Sequence, residues 1–425
     1  MRYTPWLAVL LLVFTQACSG VPISEPTPTP QDTPIATSPP APTPTTSPTA
    51  VGPTTIELWL PPEFDPNSGN QAGDILKTRL EEFTARRPNT RVDVRLKAID
   101  GPGGMLDSLT TASAAAPLAL PDIVALPRPV LEAAALKGLL RPLDDLIEPI
   151  DNSDWYDFAR QMAHVQNSTY GLPFAGDAQV LVYRTTTIPE PPRTLSETMA
   201  AAGTLLFSAA DPQAMFTLTQ YQANGGAILD DQGRPYLEPL PLTEVLTYYQ
   251  SASSRGLIPI EATQFEDDEQ VWEAYSDSNA AMMVTWNSHY LNNMEADSAA
   301  APLPTEDGQP FTLATGWLWA LASPEPENQQ LSAELAEFLN EGDFLGRWTS
   351  ALGYLPPRPS AMTNWGTATQ RRFANEIVTT AQLIPAEDVL SSLSPLLKNA
   401  TLDVLKQQTD PLVAAREAVY ALTNP

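Results

Sequence analysis

Two features of the chain predict an α/β fold with more than one domain. From residue 55 onward, segments that alternate polar and apolar residues are interleaved with segments of helical periodicity. Strand–helix repetition of this kind indicates a mainly parallel sheet flanked by helices. About 370 residues follow residue 54, which is more than one hydrophobic core usually organises, so two domains are expected.

The first elements are predicted from their residue patterns. Residues 55–60 alternate polar and apolar side chains and stop at Pro61, which predicts a strand leading into a loop. Residues 74–83 place four apolar side chains near one helical face, and the helix is expected to stop before Pro88. The following elements are predicted as a strand at 91–96, a helix at 106–116, a strand at 121–126 and a helix at 130–140.

The first 17 residues predict a secretory signal peptide. Arg2 precedes nine consecutive apolar residues, 6–14, which are too few to span a bilayer core of about 30 Å. Cys18 is the single cysteine of the chain and directly follows the small residue Ala17. This arrangement resembles a bacterial lipoprotein signal, in which the cysteine becomes the lipid-bearing first residue, although the two residues before Ala17 depart from the usual pattern. Ordinary cleavage after Ala17 is the alternative.

Residues 18–54 are predicted to be a lipidated cysteine followed by a disordered tether. Eleven prolines and nine threonines occupy the 34 positions from 21 to 54. Such a segment has few apolar side chains to bury and favours extended polyproline II conformations. Its reach is on the order of 100 Å at about 3.1 Å per residue.

The charge of the chain limits its partners. Residues 1–54 contain one basic and two acidic residues, so the remainder holds 22 basic and 48 acidic residues and carries a net charge of −26. Nucleic acid and anionic membrane surfaces would be repelled. The charge also weighs mildly against an anionic ligand.

The usual catalytic and metal-binding patterns are missing from the sequence. His164 and His289 are the only histidines, and no cysteine follows Cys18, so a His/Cys zinc site is not expected. Neither a G-x-S-x-G elbow nor a P-loop occurs. The acidic run 266–269 lacks the spacing and glycine of an EF-hand and is interpreted as a solvated helix start. No cofactor and no enzymatic activity are predicted.

A dozen short motifs follow one another through residues 55–425. They are residues 56–59, 83–88, 120–124, 136–143, 169–173, 180–183, the pair 224–226 and 230–233, 256–259, 280–286, 316–320, 333–339 and 353–358. Each is weak alone, but in this order they are similar to the extracellular solute-binding proteins of the sugar-importing ABC transporter family, those like the maltose-binding protein. Arg184 replaces an asparagine often found in that family.

The resemblance implies a two-lobed periplasmic-binding-protein fold. Each lobe would be a mainly parallel sheet flanked by helices, and hinge crossings would join the lobes, with the ligand bound in the cleft between them. Lobe 1 is predicted to comprise 55–172 and 305–340, and lobe 2 to comprise 173–304 and 341–425. The crossings are expected near 172–174, 303–305 and 340–343.

Sugar sites combine stacking aromatic rings with carboxylates, amides and arginines. In open α/β sheets, ligands bind at the carboxyl ends of strands, where several tryptophans of this chain occur. Together with the resemblance, this predicts a set of ligand-binding residues: Trp59, Glu63, Asp65, Arg128, Asp177, Trp286, Asn287, Trp317, Tyr354 and Arg358. Trp348 and Trp365 are predicted to pack in the core instead.

The expected function is the substrate-binding lipoprotein of an ABC importer. It would capture a mono- or oligosaccharide as a monomer, outside the cell membrane, and deliver it to the permease subunits. The alternatives are a surface-anchored carbohydrate-active enzyme, which would use two carboxylates about 5–10 Å apart, and an accessory protein that senses a ligand.

Overall fold

A computed structural model describes residues 54–278 and 280–424 of this chain. The signal peptide, Cys18 and almost all of the tether therefore lie outside the described residues. The strands are β1 (Thr54–Leu60), β2 (Thr90–Leu96), β3 (Ile123–Pro127), β4 (His164–Val165), β5 (Ser168–Thr169), β6 (Leu172–Arg184), β7 (Leu205–Leu206), β8 (Met282–Trp286), β9 (Ser298–Ala301), β10 (Thr312–Leu321) and β11 (Ala381–Leu383).

The helices surround these strands. Those preceding β10 are α1 (Gln71–Arg86), α2 (Met105–Ala115), α3 (Arg128–Leu136), α4 (Asp157–Ala163), α5 (Leu195–Ala200), α6 (Met215–Ala223), α7 (Pro239–Ser254), α8 (Asp268–Asp277) and α9 (Asn287–Asn292). Those after it are α10 (Pro326–Phe338), α11 (Gly342–Leu352), α12 (Pro359–Met362), α13 (Ala368–Val378), α14 (Glu387–Leu405) and α15 (Pro411–Thr423). Short 3₁₀ turns occupy Pro62–Phe64, Pro117–Ala119 and Ile260–Gln264.

The predicted first elements are confirmed, with ends shifted by a few residues. In α1, Asn70 accepts a hydrogen bond from the Gly73 amide at 2.8 Å, which satisfies one of the free amides at the helix start. The helix buries Leu76 and Phe83 and ends two residues before Pro88. The helix predicted at 130–140 is shorter, because the chain takes a left-handed conformation at Gly138.

One mixed sheet runs through both halves of the described chain, in the order β2-β1-β3-β10-β6-β8-β7. The pairs β1–β2, β1–β3 and β7–β8 are parallel. The long strands β6 and β10 pair antiparallel with each other, β10 pairs antiparallel with β3, and β6 pairs antiparallel with β8 and β9. Strand β11 pairs parallel with β10. The start of β6 pairs with β10 and, at Gly176, with Leu355, and its end pairs with β8 and β9, so this strand serves both halves.

Two groups of buried side chains accompany the two halves. The first core contains β1, β3, α1 and the end of β10, and it also takes in one face of the other half through residues such as Met283 and Tyr275. The second core packs α6, α7, α14 and α15 on the opposite face. The chain passes from one core to the other at three places: within β6, at Leu313–Ala314 in β10, and around β11. At the third place, Ala381 belongs to the first core and Ile384 to the second.

These positions differ from the predicted crossings near 303–305 and 340–343. Leu303 still belongs to the second core, and Thr305 pairs with Thr194 beside it. Helix α11 contacts the first core, because its Trp348 packs on Phe64 and Phe174. Residues 305–313 therefore pack with the second half, and residues 341–378 pack with the first.

Candidate ligand-binding cleft

The strand register brings four strand ends toward the middle of β6 and β10. Strand β3 ends where Pro127 pairs with Trp317, and β8 ends where Trp286 pairs with Gln179. Because β3 and β8 run in opposite directions, their carboxyl ends approach this middle from the two halves. The parallel neighbours β1 and β7 run in the same directions, and their pairing with β3 and β8 stops three residues before those strands end. Open α/β sheets bind ligands at such ends.

Asp177 lies in this middle segment of β6 and is 8 % exposed. Its carboxylate accepts hydrogen bonds from the Ser288 amide, at 3.0 Å, and from the Ser288 hydroxyl. It therefore joins the hinge strand to the start of α9. Burial raises the pKa of Asp177 to about 7, although these hydrogen bonds favour its ionised form.

Glu63, Trp317 and Tyr354 form the wall contributed by the first half. The Tyr354 ring meets the ring of Phe64, the residue after Glu63, edge-to-face with 6.2 Å between centroids. The Trp317 ring meets the Phe64 ring edge-to-face, with 4.9 Å between centroids. Taken over the whole residue, Glu63 is exposed to solvent. Protein atoms nevertheless surround its carboxylate, and this loss of solvation raises the pKa of Glu63 to about 7. Burial is the main cause that raises the pKa of Tyr354, and the negative charges of Glu63 and Asp177 raise it further.

Trp286 and Asn287 form the facing wall. Trp286 is half-buried against the second core. Asn287 is fully buried, and its Nδ2 donates to the Gly353 carbonyl at 3.1 Å. Gly353 directly follows α11 and takes a left-handed conformation, with φ of 79°. Asn287 therefore joins α9 of the second half to the end of α11 in the first.

Three further residues belong to this group. Asp268 accepts hydrogen bonds from the Thr285 hydroxyl at 2.7 Å and from the Trp286 amide at 2.9 Å. Burial raises its pKa. Ser288 holds Asp177, and His289 contacts Thr285 and Glu269.

The interpretation of 266–269 as a solvated helix start is wrong for Asp268 and right for its three exposed neighbours. Asp267 caps α8, and the next residue turns inward under β8. Strand-end position could have indicated Ser288, whereas nothing in the local sequence distinguishes Asp268.

Six of the ten predicted residues lie in this group: Glu63, Asp177, Trp286, Asn287, Trp317 and Tyr354. The other four have contacts elsewhere, as follows. Buried Trp59 donates a hydrogen bond to Glu57 at 2.7 Å and lies under Lys97, and Asp65 accepts one from the Asn67 amide at 2.8 Å. Arg128 contacts the His164 carbonyl and Glu132. Arg358 binds Asp154 and the Asn340 carbonyl.

Two negative findings apply to residues 54–278 and 280–424. They hold no group of three or more histidine, cysteine, aspartate or glutamate side chains that could bind a metal ion. None of their helices combines the length and apolar character needed to cross a bilayer.

A two-lobed α/β architecture whose strand ends surround an aromatic and acidic cleft is that of a solute-binding protein. The chain belongs to the family of bacterial extracellular solute-binding proteins, whose family model matches residues 78–373. No curated protein sequence matches it.

Solved structures confirm the predicted fold class. A cyclo/maltodextrin-binding protein in complex with maltotetraose has a TM-score of 0.71 at 20% sequence identity, over 88% of this chain and 98% of that one. The sugar-binding protein MalE from Xanthomonas citri has a TM-score of 0.70 at 20% identity, over 87% and 97%. The GacH receptor of Streptomyces glaucescens, solved with and without acarbose, has a TM-score of 0.67 at 18% identity, over 88% and 98%.

Proposed function

We propose that this chain is the substrate-binding lipoprotein of an ABC importer, which captures a mono- or oligosaccharide between its lobes and delivers it to a membrane permease. The carrying observation is that backbone pairing places Trp317, Tyr354 and Trp286 beside the middle of β6, where Asp177 lies. Glu63 precedes Phe64, whose ring contacts the rings of Trp317 and Tyr354. Aromatic rings stack on the apolar faces of sugars, and carboxylates accept hydrogen bonds from sugar hydroxyls. The structural neighbours named as a cyclo/maltodextrin-binding protein and a sugar-binding protein support the same ligand class.

The lobes would close on the ligand by bending where β6 and β10 cross. Ligand binding to both walls at once favours the closed state, because only that state offers all contacts together. The Ser288–Asp177 and Asn287–Gly353 hydrogen bonds tie the walls together near this point. An enzyme would need a catalytic pair of carboxylates, and the family match to binding proteins favours capture without chemistry.

A thermal-shift screen with maltose, maltotriose, maltotetraose and unrelated monosaccharides tests this proposal. A sugar at about 100 times its dissociation constant is expected to add about 2.7 kcal/mol to the free energy of unfolding. The sugar should be recovered unchanged, without new reducing ends. Failure of every sugar to raise the melting temperature would contradict the proposal, and new reducing ends would support the enzyme.

We also propose that Cys18 is the lipidated first residue of the mature protein. Replacing Cys18 with alanine should move the protein from the membrane fraction to the soluble fraction, because the lipid carried by this cysteine is the proposed anchor and each of its buried CH₂ groups adds about 0.8 kcal/mol of membrane affinity. The neighbouring Ser19→Ala variant is the control and should stay with the membrane. Cell fractionation and immunoblotting show where each variant is located. Retention of the Cys18→Ala protein in the membrane fraction would refute lipidation.

A further inference from the structure

The turn that carries Tyr354 is held in place from several sides. It comprises residues 352–355, at the end of α11, and each of its four carbonyl groups accepts a hydrogen bond. The Tyr354 carbonyl accepts from the Trp365 indole at 2.8 Å, and the Leu355 carbonyl accepts from the Gly176 amide at 2.7 Å. Trp365 belongs to the first core, and Gly176 lies in the hinge strand β6. These bonds fix the point at which the Tyr354 side chain leaves the backbone.

The other two donors come from the second half. Both are asparagine side chains of α9, the helix that follows β8. Asn287 Nδ2 donates to the Gly353 carbonyl and Asn292 Nδ2 donates to the Leu352 carbonyl, each at 3.1 Å. The last carbonyls of a helix have no partner within that helix, and Leu352 is the final residue of α11. The second half therefore supplies donors that complete the end of a helix in the first half.

The contact between Asn292 and this turn is close. A Cβ added to Gly353 would lie 2.9 Å from Asn292 Nδ2 and 3.0 Å from Asn292 Oδ1. A side chain at position 353 therefore requires Asn292 to move. Asn292 is itself exposed, so its amide group can be removed without opening a cavity in a core.

Helix α9 also contacts the hinge strand. Ser288 donates two hydrogen bonds to Asp177, from its amide and from its hydroxyl. The neighbouring Gly176 pairs with Leu355 in both directions, at 2.7 Å each. One short helix thus holds the crossing strand and the Tyr354 turn together. Points close to a rotation axis move little when lobes rotate, so contacts at the crossing strand persist while the cleft opens and closes.

We propose that Asn292, together with Asn287, is a positioning residue of the cleft. The two amides form a clamp that holds the Tyr354 turn of the first half on α9 of the second half. Because Trp286 directly precedes α9, this helix carries one wall of the cleft and sets its spacing from the other. The proposal rests on the proposed sugar-binding function. With the clamp intact, less relative motion of the walls is lost when a sugar binds, so the clamp strengthens binding without contacting the sugar.

Asn292→Ala tests the clamp, and the adjacent Asn293→Ala is the matched control. Asn293 is also exposed, and its Nδ2 donates to a carbonyl at 3.0 Å, but that carbonyl belongs to His289 of the same helix. Asn292→Ala should weaken binding of the sugar found in the thermal-shift screen by about threefold or more, as the loss of one hydrogen bond predicts. Asn293→Ala should bind as the unaltered protein does. Calorimetry measures both, and unchanged or tighter binding by Asn292→Ala overturns the inference.

A second measurement needs no sugar and therefore separates this inference from the proposed function. Spin labels at Thr110→Cys in α2 of the first half and Glu244→Cys in α7 of the second report the distance between the lobes. The Cys18→Ala chain is used so that no other cysteine is labelled. Electron–electron resonance should show a broader distance distribution for Asn292→Ala than for Asn293→Ala. Equal widths overturn the clamp, whereas a broader distribution without binding of any sugar contradicts the proposed function alone.

A double substitution localises the effect to one contact. Gly353→Ala introduces the collision with Asn292 and should weaken sugar binding more than Asn292→Ala does. In the Asn292→Ala background the colliding atoms are gone, so Gly353→Ala should cause a smaller further loss. Additive effects of the two substitutions on affinity overturn the inference.

An isosteric variant carries this test if Gly353→Ala fails to fold. Asn292→Asp keeps the shape of the side chain but replaces the amide donor with a carboxylate. The carboxyl end of α11 repels a negative charge, so Asn292→Asp should weaken sugar binding at least as much as Asn292→Ala. Asn293→Asp adds the same charge one residue away and is the control. Equal affinities of the two aspartate variants overturn the inference.

Discussion

Replacing Trp348 with alanine is expected to lower the free energy of unfolding by about 3–5 kcal/mol. The Trp348 side chain is fully buried and stacks on Phe174 and Phe344, with centroid distances of 5.3 and 5.5 Å. Its ring is also parallel to that of Trp319, at 6.0 Å. Removing the indole leaves a cavity at the centre of an aromatic stack, and rigid rings on several sides leave little room for the site to collapse. Denaturant unfolding followed by circular dichroism measures the loss.

Trp286→Ala is the matched control for this substitution. Trp286 is half-buried at the end of β8, so its truncation should cost much less stability. It should instead weaken sugar binding by about tenfold or more, since stacking and buried apolar area are lost in the complex alone. A large loss of stability for Trp286→Ala with unchanged affinity would assign this residue to packing and move the ligand site elsewhere.

The repeating elements could be predicted because their signals are local. Alternation in β1 and β2, the apolar face of α1 and the proline after it are properties of a few adjacent residues. Burial of Trp348 and Trp365 confirms the prediction that they pack in the core. Strand-end position and the family resemblance indicated Trp286 and Trp317, and position after the predicted crossing indicated Asp177; these three residues lie in one region, although their binding roles remain proposals.

The rest depends on contacts between distant parts of the chain. The apolar face of α11 could pack on either half, and only the contact of Trp348 with Phe174 assigns this helix to the first core. Arg128 was predicted for the site from its loop position and Arg358 from the family resemblance, yet nearby carboxylates bind both. Asp268 could not be distinguished from the exposed acids around it, because its inward turn is made by Thr285, 17 positions later.

Replacing Gly316 with alanine is expected to destabilise the protein by about 3 kcal/mol or more, at or above the upper end of overpacking substitutions. Gly316 pairs with Gly176 and lies two residues beyond the Leu313–Ala314 passage of β10 between the two cores. A Cβ at position 316 would lie 2.1 Å from the Ala175 carbonyl oxygen and 3.0 Å from Met162 Cε. The nearer contact is with backbone, so no side-chain rotation relieves it, and the two strands have to separate.

Gly225→Ala is the control, because its Cβ would meet nothing within 4 Å and the only cost is the left-handed backbone, φ 77°. That cost is about 1–2 kcal/mol. Denaturant unfolding of both variants measures the difference, and a loss for Gly316→Ala no larger than that for Gly225→Ala would show that the strands are not held this closely. Glycine inside a strand often marks a close approach of backbones. Here the approach lies at the hinge, so Gly316→Ala should also weaken sugar binding, because the walls carrying Asp177 and Trp317 lose their common support.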